Sequence, residues 1–127
     1  MNSPTSAASI RRLAAVQSAY FLLTGLWPLV HLESFLVVTG PKADIWLVET
    51  VGVLVAAIGA GLGLSAVRGR VTAEVIIVAL ASTLGLAIID SIYVARGRIH
   101  AIYLLDVAVE AVLIAGWAYC MWRGRRT

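Results

Sequence analysis

Charge and cysteine are what this chain has least of. Charged residues occupy 13% of its 127 positions and apolar residues 61%, where ordinary soluble domains carry about 25% and roughly 45–50%. That is the composition of a membrane protein, and the length leaves room for spans of about 20 residues with short links and no separate soluble domain. The single cysteine, Cys120, excludes an internal disulfide, a CxxC redox pair and a cysteine-rich zinc site. No ExxH or HExxH spacing sets two metal ligands on one helix, so no metal site is assigned. No cofactor motif is present either. GxSxG is missing as well, and Ser34, three residues from His31 in a loop, is a poor nucleophile and base pair. No catalytic residue is assigned. The formal charge of +3 comes from ten basic residues, almost all arginines grouped just outside apolar runs. Membrane topology explains that grouping better than nucleic acid does.

Four apolar segments remain: Leu13 to Val30, Ile45 to Val67, Thr72 to Ala95 and Ile99 to Trp122. Each is long enough to cross a bilayer as a helix at about 1.5 Å per residue. Arg68-Gly69-Arg70 and Arg96-Gly97-Arg98 are tight links with glycine where a helix end needs it. Links this short make sequential helices antiparallel neighbours, so the expected fold is all-α, a transmembrane antiparallel four-helix bundle in one domain. The run after Arg11 and Arg12 continues through Trp27-Pro28 without a small-x-small cleavage site, so it reads as a retained first span and not a signal peptide. Met1 to Ile10 read as a mobile or interfacial leader. The Arg-Gly-Arg links are too short to imply an internal duplication.

Orientation follows from the arginines. Arg11, Arg12, Arg68, Arg70, Arg123, Arg125 and Arg126 fall on one side, Lys42, Arg96 and Arg98 on the other. Positive residues stay inside, so a multi-pass protein of the cytoplasmic (inner) membrane with both termini cytoplasmic is expected. The long connection His31 to Asp44 is half apolar and either lies along the outer interface or folds over the bundle mouth.

Of the seven acids, Glu74 falls at the start of an apolar segment and four, Glu49, Asp90, Asp106 and Glu110, lie further inside. A carboxylate at the centre of a span costs about 2.5–3.5 kcal/mol on insertion scales, so these acids are expected to face protein or water and not lipid. Helical spacing places each on a polar or small-residue stripe. Gln17, Tyr20, Thr24, Trp27 and His31 share one face, and so do Tyr103, Asp106, Glu110, Leu113 and Trp117. Glu49 joins Gly52, Ala56, Gly59 and Gly63, while Asp90 joins Ala79, Thr83 and Ala87. Such stripes are packing faces in a bilayer, and the Gly59/Gly63 pair serves contacts either within the bundle or between copies. Glu74, at a helix start, reads as structural. With both termini inside, His31, Glu49, Asp90, Asp106 and Glu110 all fall in the outer half, with Trp27, Trp46, Tyr93 and Tyr103 near the same level. They compose an expected outward-facing pocket, which Gln17, Tyr20 and Thr24 also line. Desolvated carboxyls placed together resist joint ionisation, a property useful for handling protons or cations. The competing reading pairs Asp90 and Asp106 with Arg96 and Arg98. Glu110 is the strongest single candidate.

The layout of four helices with acids near one end of an internal pocket resembles the emopamil-binding and sigma-2 receptor-like family, without a residue-level motif that would bring over its sterol chemistry. Thr24-Gly25-Leu26-Trp27-Pro28-Leu29-Val30-His31, Ser34-Phe35, Val38-Thr39-Gly40-Pro41-Lys42, Asp44 and Trp46-Leu47-Val48 resemble a pattern of small bacterial four-helix integral membrane proteins. That resemblance implies location and fold but no activity, and it points to His31 and the Thr39–Lys42 turn at the outer mouth. Three functional readings follow. The first is a pocket binding or transporting a small cation, amine or amphipathic ligand. The second is an accessory or scaffold subunit of a larger membrane complex, or a homodimer. The third is a membrane-embedded isomerase-like enzyme. The partners expected are the bilayer and such a ligand, with no nucleic acid.

Overall fold

Helix α1 runs from Pro4 to Val30, α2 from Leu32 to Thr39, α3 from Ile45 to Arg68, α4 from Ala73 to Ala95 and α5 from Tyr103 to Arg126. A computed structural model describes residues 4–126, with side chains from 7 to 125. Four of these helices are long and apolar enough to cross a membrane: Ala7–Val30, Ile45–Arg68, Ala73–Ala95 and Tyr103–Arg125. The chain is therefore a multi-pass helical bundle, and its broad apolar exposure, such as Leu23, Val53, Ile77 and Val112, is the surface offered to lipid.

Two span starts differ from those expected, each for a visible reason, and the last helix runs on past Trp122 to Arg126. Helix α1 begins before Leu13 because Ile10 and Ala14 are buried against Leu62, Ala66, Trp117 and Cys120. Arg11 also donates from Nε to the Ala66 carbonyl and from Nη2 to that of Val67, the latter at 3.0 Å. Carbonyls at a helix C-terminus lack intrahelical donors, and a guanidinium there supplies both hydrogen bonds and favourable charge. Most of the expected leader is thus helix; Met1–Ser3 lie outside the described residues. The last span starts at Tyr103, later than Ile99. Gly97 takes a positive φ of 69°, and the His100 ring accepts the Ile102 N–H at 3.0 Å, which keeps the intervening residues in turns.

The tightest seam joins α1 to α3. Arg11 meets Ala66 and Val67, Ser18 donates to the Gly59 carbonyl at 2.6 Å, and Gly25 abuts Gly52 and Ala56. Partner numbers fall as α1 numbers rise, so the two helices run in opposite directions. Close approach demands glycine here. A Cβ on Gly25 would lie 2.6 Å from the Ala56 nitrogen, and one on Gly52 would lie 2.7 Å from the Gly25 oxygen. The Gly59/Gly63 spacing serves this same seam, because added Cβ atoms would meet Leu22 and Ser18 of α1. The glycine stripe of α3 is therefore covered inside the bundle. Helices α4 and α5 form a second extensive pair, whereas α3 and α4 meet only sparsely.

A paired substitution tests the seam. Gly25→Ala drives a methyl into backbone that cannot yield, and overpacking of this kind costs about 1–3 kcal/mol. Gly61→Ala meets nothing within 4 Å and gains up to about 1 kcal/mol of helix propensity. Thermal unfolding in mild detergent should show a clear loss for the first variant and none for the second.

Candidate functional site

At the α2 end of the bundle the two helix pairs part around a cavity of about 570 Å³, within the usual range for small-ligand sites, roughly 300–1,000 Å³. Three acids reach it: Asp90 from α4, and Asp106 and Glu110 from α5. Glu110 is fully buried and Asp90 is 8% exposed. The Tyr20 hydroxyl of α1 donates to Asp106 Oδ1. The Asp90 carboxyl faces that of Asp106 within hydrogen-bonding reach, and both lie near enough to Glu110 to act on it electrostatically. Neither Glu110 oxygen has a hydrogen-bond partner among the described residues. Most of the remaining wall is apolar, with Val51 and Val55 from α3 and Leu86 from α4.

Among the described residues, no arginine pairs with these acids. Arg96 lies over the Tyr93 ring, 5.8 Å from its centroid, and among the described residues no ion pair joins Arg96 or Arg98 to Asp90, Asp106 or Glu110. Nor do three or more His, Cys, Asp or Glu side chains gather there in an arrangement able to hold a metal ion, among the described residues.

The structure brings together only part of the expected constellation. Tyr20, Thr24, Trp27, Tyr103, Asp90, Asp106 and Glu110 share the cavity; His31, Glu49, Trp46, Tyr93 and Gln17 are not on its wall. Glu49 is exposed. It flanks the glycine stripe and does not sit at its centre, and it lies near the start of α3, where Pro28 and Leu29 of α1 already cover Gly52. Glu49 lies beyond the first turn of α3, so its exposed carboxylate is not a partner of the helix dipole. His31 is exposed too and is the N-cap of α2, with Nδ1 accepting the Ser34 N–H at 3.2 Å. Trp27 Nε1 donates to Ser34 Oγ at 2.8 Å, which fixes the corner between α1 and α2. Trp46 is 67% exposed, outside the cavity, and Tyr93 is the platform for Arg96.

Helix α2 and the turn after it make the roof of the cavity, so the long connection folds over the mouth. Phe35, Val38, Thr39 and Lys42 line the space. Lys42 Nζ donates to the carbonyls of Thr39 at 3.1 Å and Gly40 at 3.0 Å, and sits 5.9 Å from the Phe35 ring centroid and 5.2 Å from that of Tyr103. Carbonyls at the end of α2 and two aromatic faces thus hold the ammonium. The sequence reading places Lys42 in a turn at the mouth and gives it no role in the site. The available signal was a lone lysine after Gly40-Pro41, in a chain whose other basic residues are all arginine.

Gln17 sits below the cavity floor, fully buried. Its Nε2 donates to the Ala79 carbonyl of α4 at 3.1 Å, and its Oε1 accepts from Trp117 Nε1 of α5 at 2.7 Å. One amide thus ties three helices. Gln17→Leu keeps the volume near its present value but strands the indole N–H, a loss of about 1–2 kcal/mol. Tyr20→Phe removes one hydroxyl from a half-buried position and should cost less. Detergent unfolding of the two variants should preserve that order.

No protein-family model matches the chain, and no curated protein or solved structure matches it.

Proposed function

We propose that this membrane protein binds a small protonated amine or another cationic amphipath in the acid cavity beneath α2. Glu110 carries the reading. A buried carboxyl with both oxygens unpartnered sacrifices the hydrogen bonds it would make in water, at a cost of at least about 1–3 kcal/mol. A bound ammonium returns both charge and donors, and in a low-dielectric wall such charge-assisted bonds are the strong ones. Asp90 and Asp106 stand beside it as further acceptors. Two carboxyl groups can hydrogen bond to each other only through a proton, so a cation arriving between them takes the place of that proton. Tyr20 orients Asp106 through its hydroxyl.

The apolar wall supports an amphipathic ligand over a bare ion. Val51, Val55 and Leu86 line the cavity where α3 and α4 meet only sparsely, which favours access for an alkyl or aromatic group from the bilayer side. An inorganic cation would leave that surface without a role. The excess of arginine at the termini end supports cytoplasmic termini and a cavity facing the opposite side.

Ligand chemistry can be tested with probes differing in one group. Octylamine, octanol and octanoate, added to the purified protein in nanodiscs, should raise its unfolding temperature in the order amine, alcohol, acid. The amine should bind about tenfold more tightly than the alcohol, the effect of a single charge-assisted bond. Glu110→Gln should remove the difference. Equal binding of amine and alcohol, or full amine binding by that variant, would discard the reading.

Orientation has its own measurement. Cys120 is only 8% exposed and a poor reporter, so Ala43→Cys in a Cys120→Ser background is preferable, because Ala43 is exposed at the α2 end. A membrane-impermeant maleimide should label it on intact cells. Labelling only after lysis would reverse the orientation.

A further inference from the structure

At the end of the bundle away from the acids, a second hollow of about 310 Å³ opens between α1 and α5. Leu13 and Gly116 make its apolar floor and Val16 an apolar flank, while Arg12, Arg123 and Tyr119 stand around it. Adjacent arginines separate here. Arg11 turns to the carbonyl end of α3, whereas Arg12 lines the hollow. The Arg123 guanidinium lies 5.8 Å from the Tyr119 ring centroid, an aromatic contact that holds it near the groove. Gly116 keeps the hollow open, since a Cβ there would come within 3.2 Å of Leu13. Val16 is 59% exposed and Tyr119 56%, so the flanks of the groove face the bilayer. Arg12 lies near the start of α1 and Arg123 in the last turn of the antiparallel α5, which puts both arginines at one end of the bundle.

We infer that this groove is a binding site for an anionic phospholipid, with Arg12 and Arg123 on the headgroup phosphate and one acyl chain along Leu13, Val16 and Gly116. Planar guanidinium groups match phosphate oxygens in paired hydrogen bonds. The apolar floor continues from those cations toward the bilayer interior, an arrangement that a phosphate with an attached hydrocarbon chain satisfies and a free phosphate does not. The site is separate from the acid cavity and does not depend on its ligand.

The test measures lipid retained by the full chain in mild detergent, by native mass spectrometry, during titration with phosphatidylglycerol or phosphatidylcholine of identical acyl chains. The native chain should retain phosphatidylglycerol about thirtyfold more strongly, which is about 2 kcal/mol for two boundary arginines. R12Q/R123Q should lose that preference. R68Q/R70Q removes the same charge from the same end of the bundle outside the groove and should keep it. Arg123→Gln alone should lose part of the preference, and it serves if the double variant does not fold. Equal retention of the two lipids by the native chain, an unchanged preference in R12Q/R123Q, or an equal loss in R68Q/R70Q would overturn the site. Displacement of the lipid by inorganic phosphate at comparable concentration would overturn the lipid assignment.

Discussion

The side-chain amide of Gln17 sets the constraint on which the rest of the bundle depends. Within hydrocarbon no water is available to satisfy a buried donor or acceptor, so each must find protein. Gln17 does so at both ends, with a donor to the Ala79 carbonyl and an acceptor for the Trp117 indole. Because these partners lie on α4 and α5, the α1–α3 pair cannot slide against the α4–α5 pair without breaking one bond. The same Ala79 carbonyl also accepts the hydroxyls of Ser82 and Thr83, each at 3.0 Å. One carbonyl thus gathers much of the buried polar contact at that level.

Above this tie the rule is broken. Glu110 is as deeply buried as Gln17, yet neither of its oxygens is partnered among the described residues. One helical turn separates it from Asp106, which has Tyr20 and Asp90. The same helix therefore carries a satisfied acid and an unsatisfied one, both open to a single cavity. A bundle held only by apolar contact in lipid would have little reason to keep such a group in place, because lipid tails are as apolar as leucine and supply no hydrophobic drive between helices. The glycine seam and the Gln17 tie supply the rigidity that keeps the acid there.

Much of this was legible in the sequence, because stripes at helical spacing translate directly into packing faces. Gln17, Asp90, Glu110, Leu113 and Trp117 fall on such stripes and are buried as the spacing requires. Gly52, Ala56 and Gly59 do the same on α3. The spacing could not show where a stripe stops being covered. Glu49 extends the α3 stripe by one step and His31 the α1 stripe, but both lie where neighbouring helices end, and both are exposed. Depth and face together do not make a side chain interior; it also needs a partner helix at that level. Helix α2 escaped for another reason. Leu32–Thr39 is only eight residues long, too short for periodicity to separate a helix from an interfacial loop. Its stability comes from the His31 cap and from Trp27, whose ring meets that of Phe35 edge-on at 5.4 Å.

Lys42 shows how the roof and the acids bear on each other. Among the described residues it is the one cation lining the cavity, and a direct ion pair with Asp106 or Glu110 would have reduced the negative charge of the site. Instead its ammonium is held by the carbonyls of Thr39 and Gly40 and by the rings of Phe35 and Tyr103. Those contacts retain the lysine at the end of α2, and among the described residues no ion pair joins it to the acids below. Tyr103 belongs to α5, the helix that bears both Asp106 and Glu110, and the Lys42 contact therefore also fastens the roof to the wall that carries them. Displacing Lys42 would loosen the roof and free its ammonium from the carbonyls and rings that hold it. The placement of this single lysine thus fastens α2 to α5 at the mouth of the cavity.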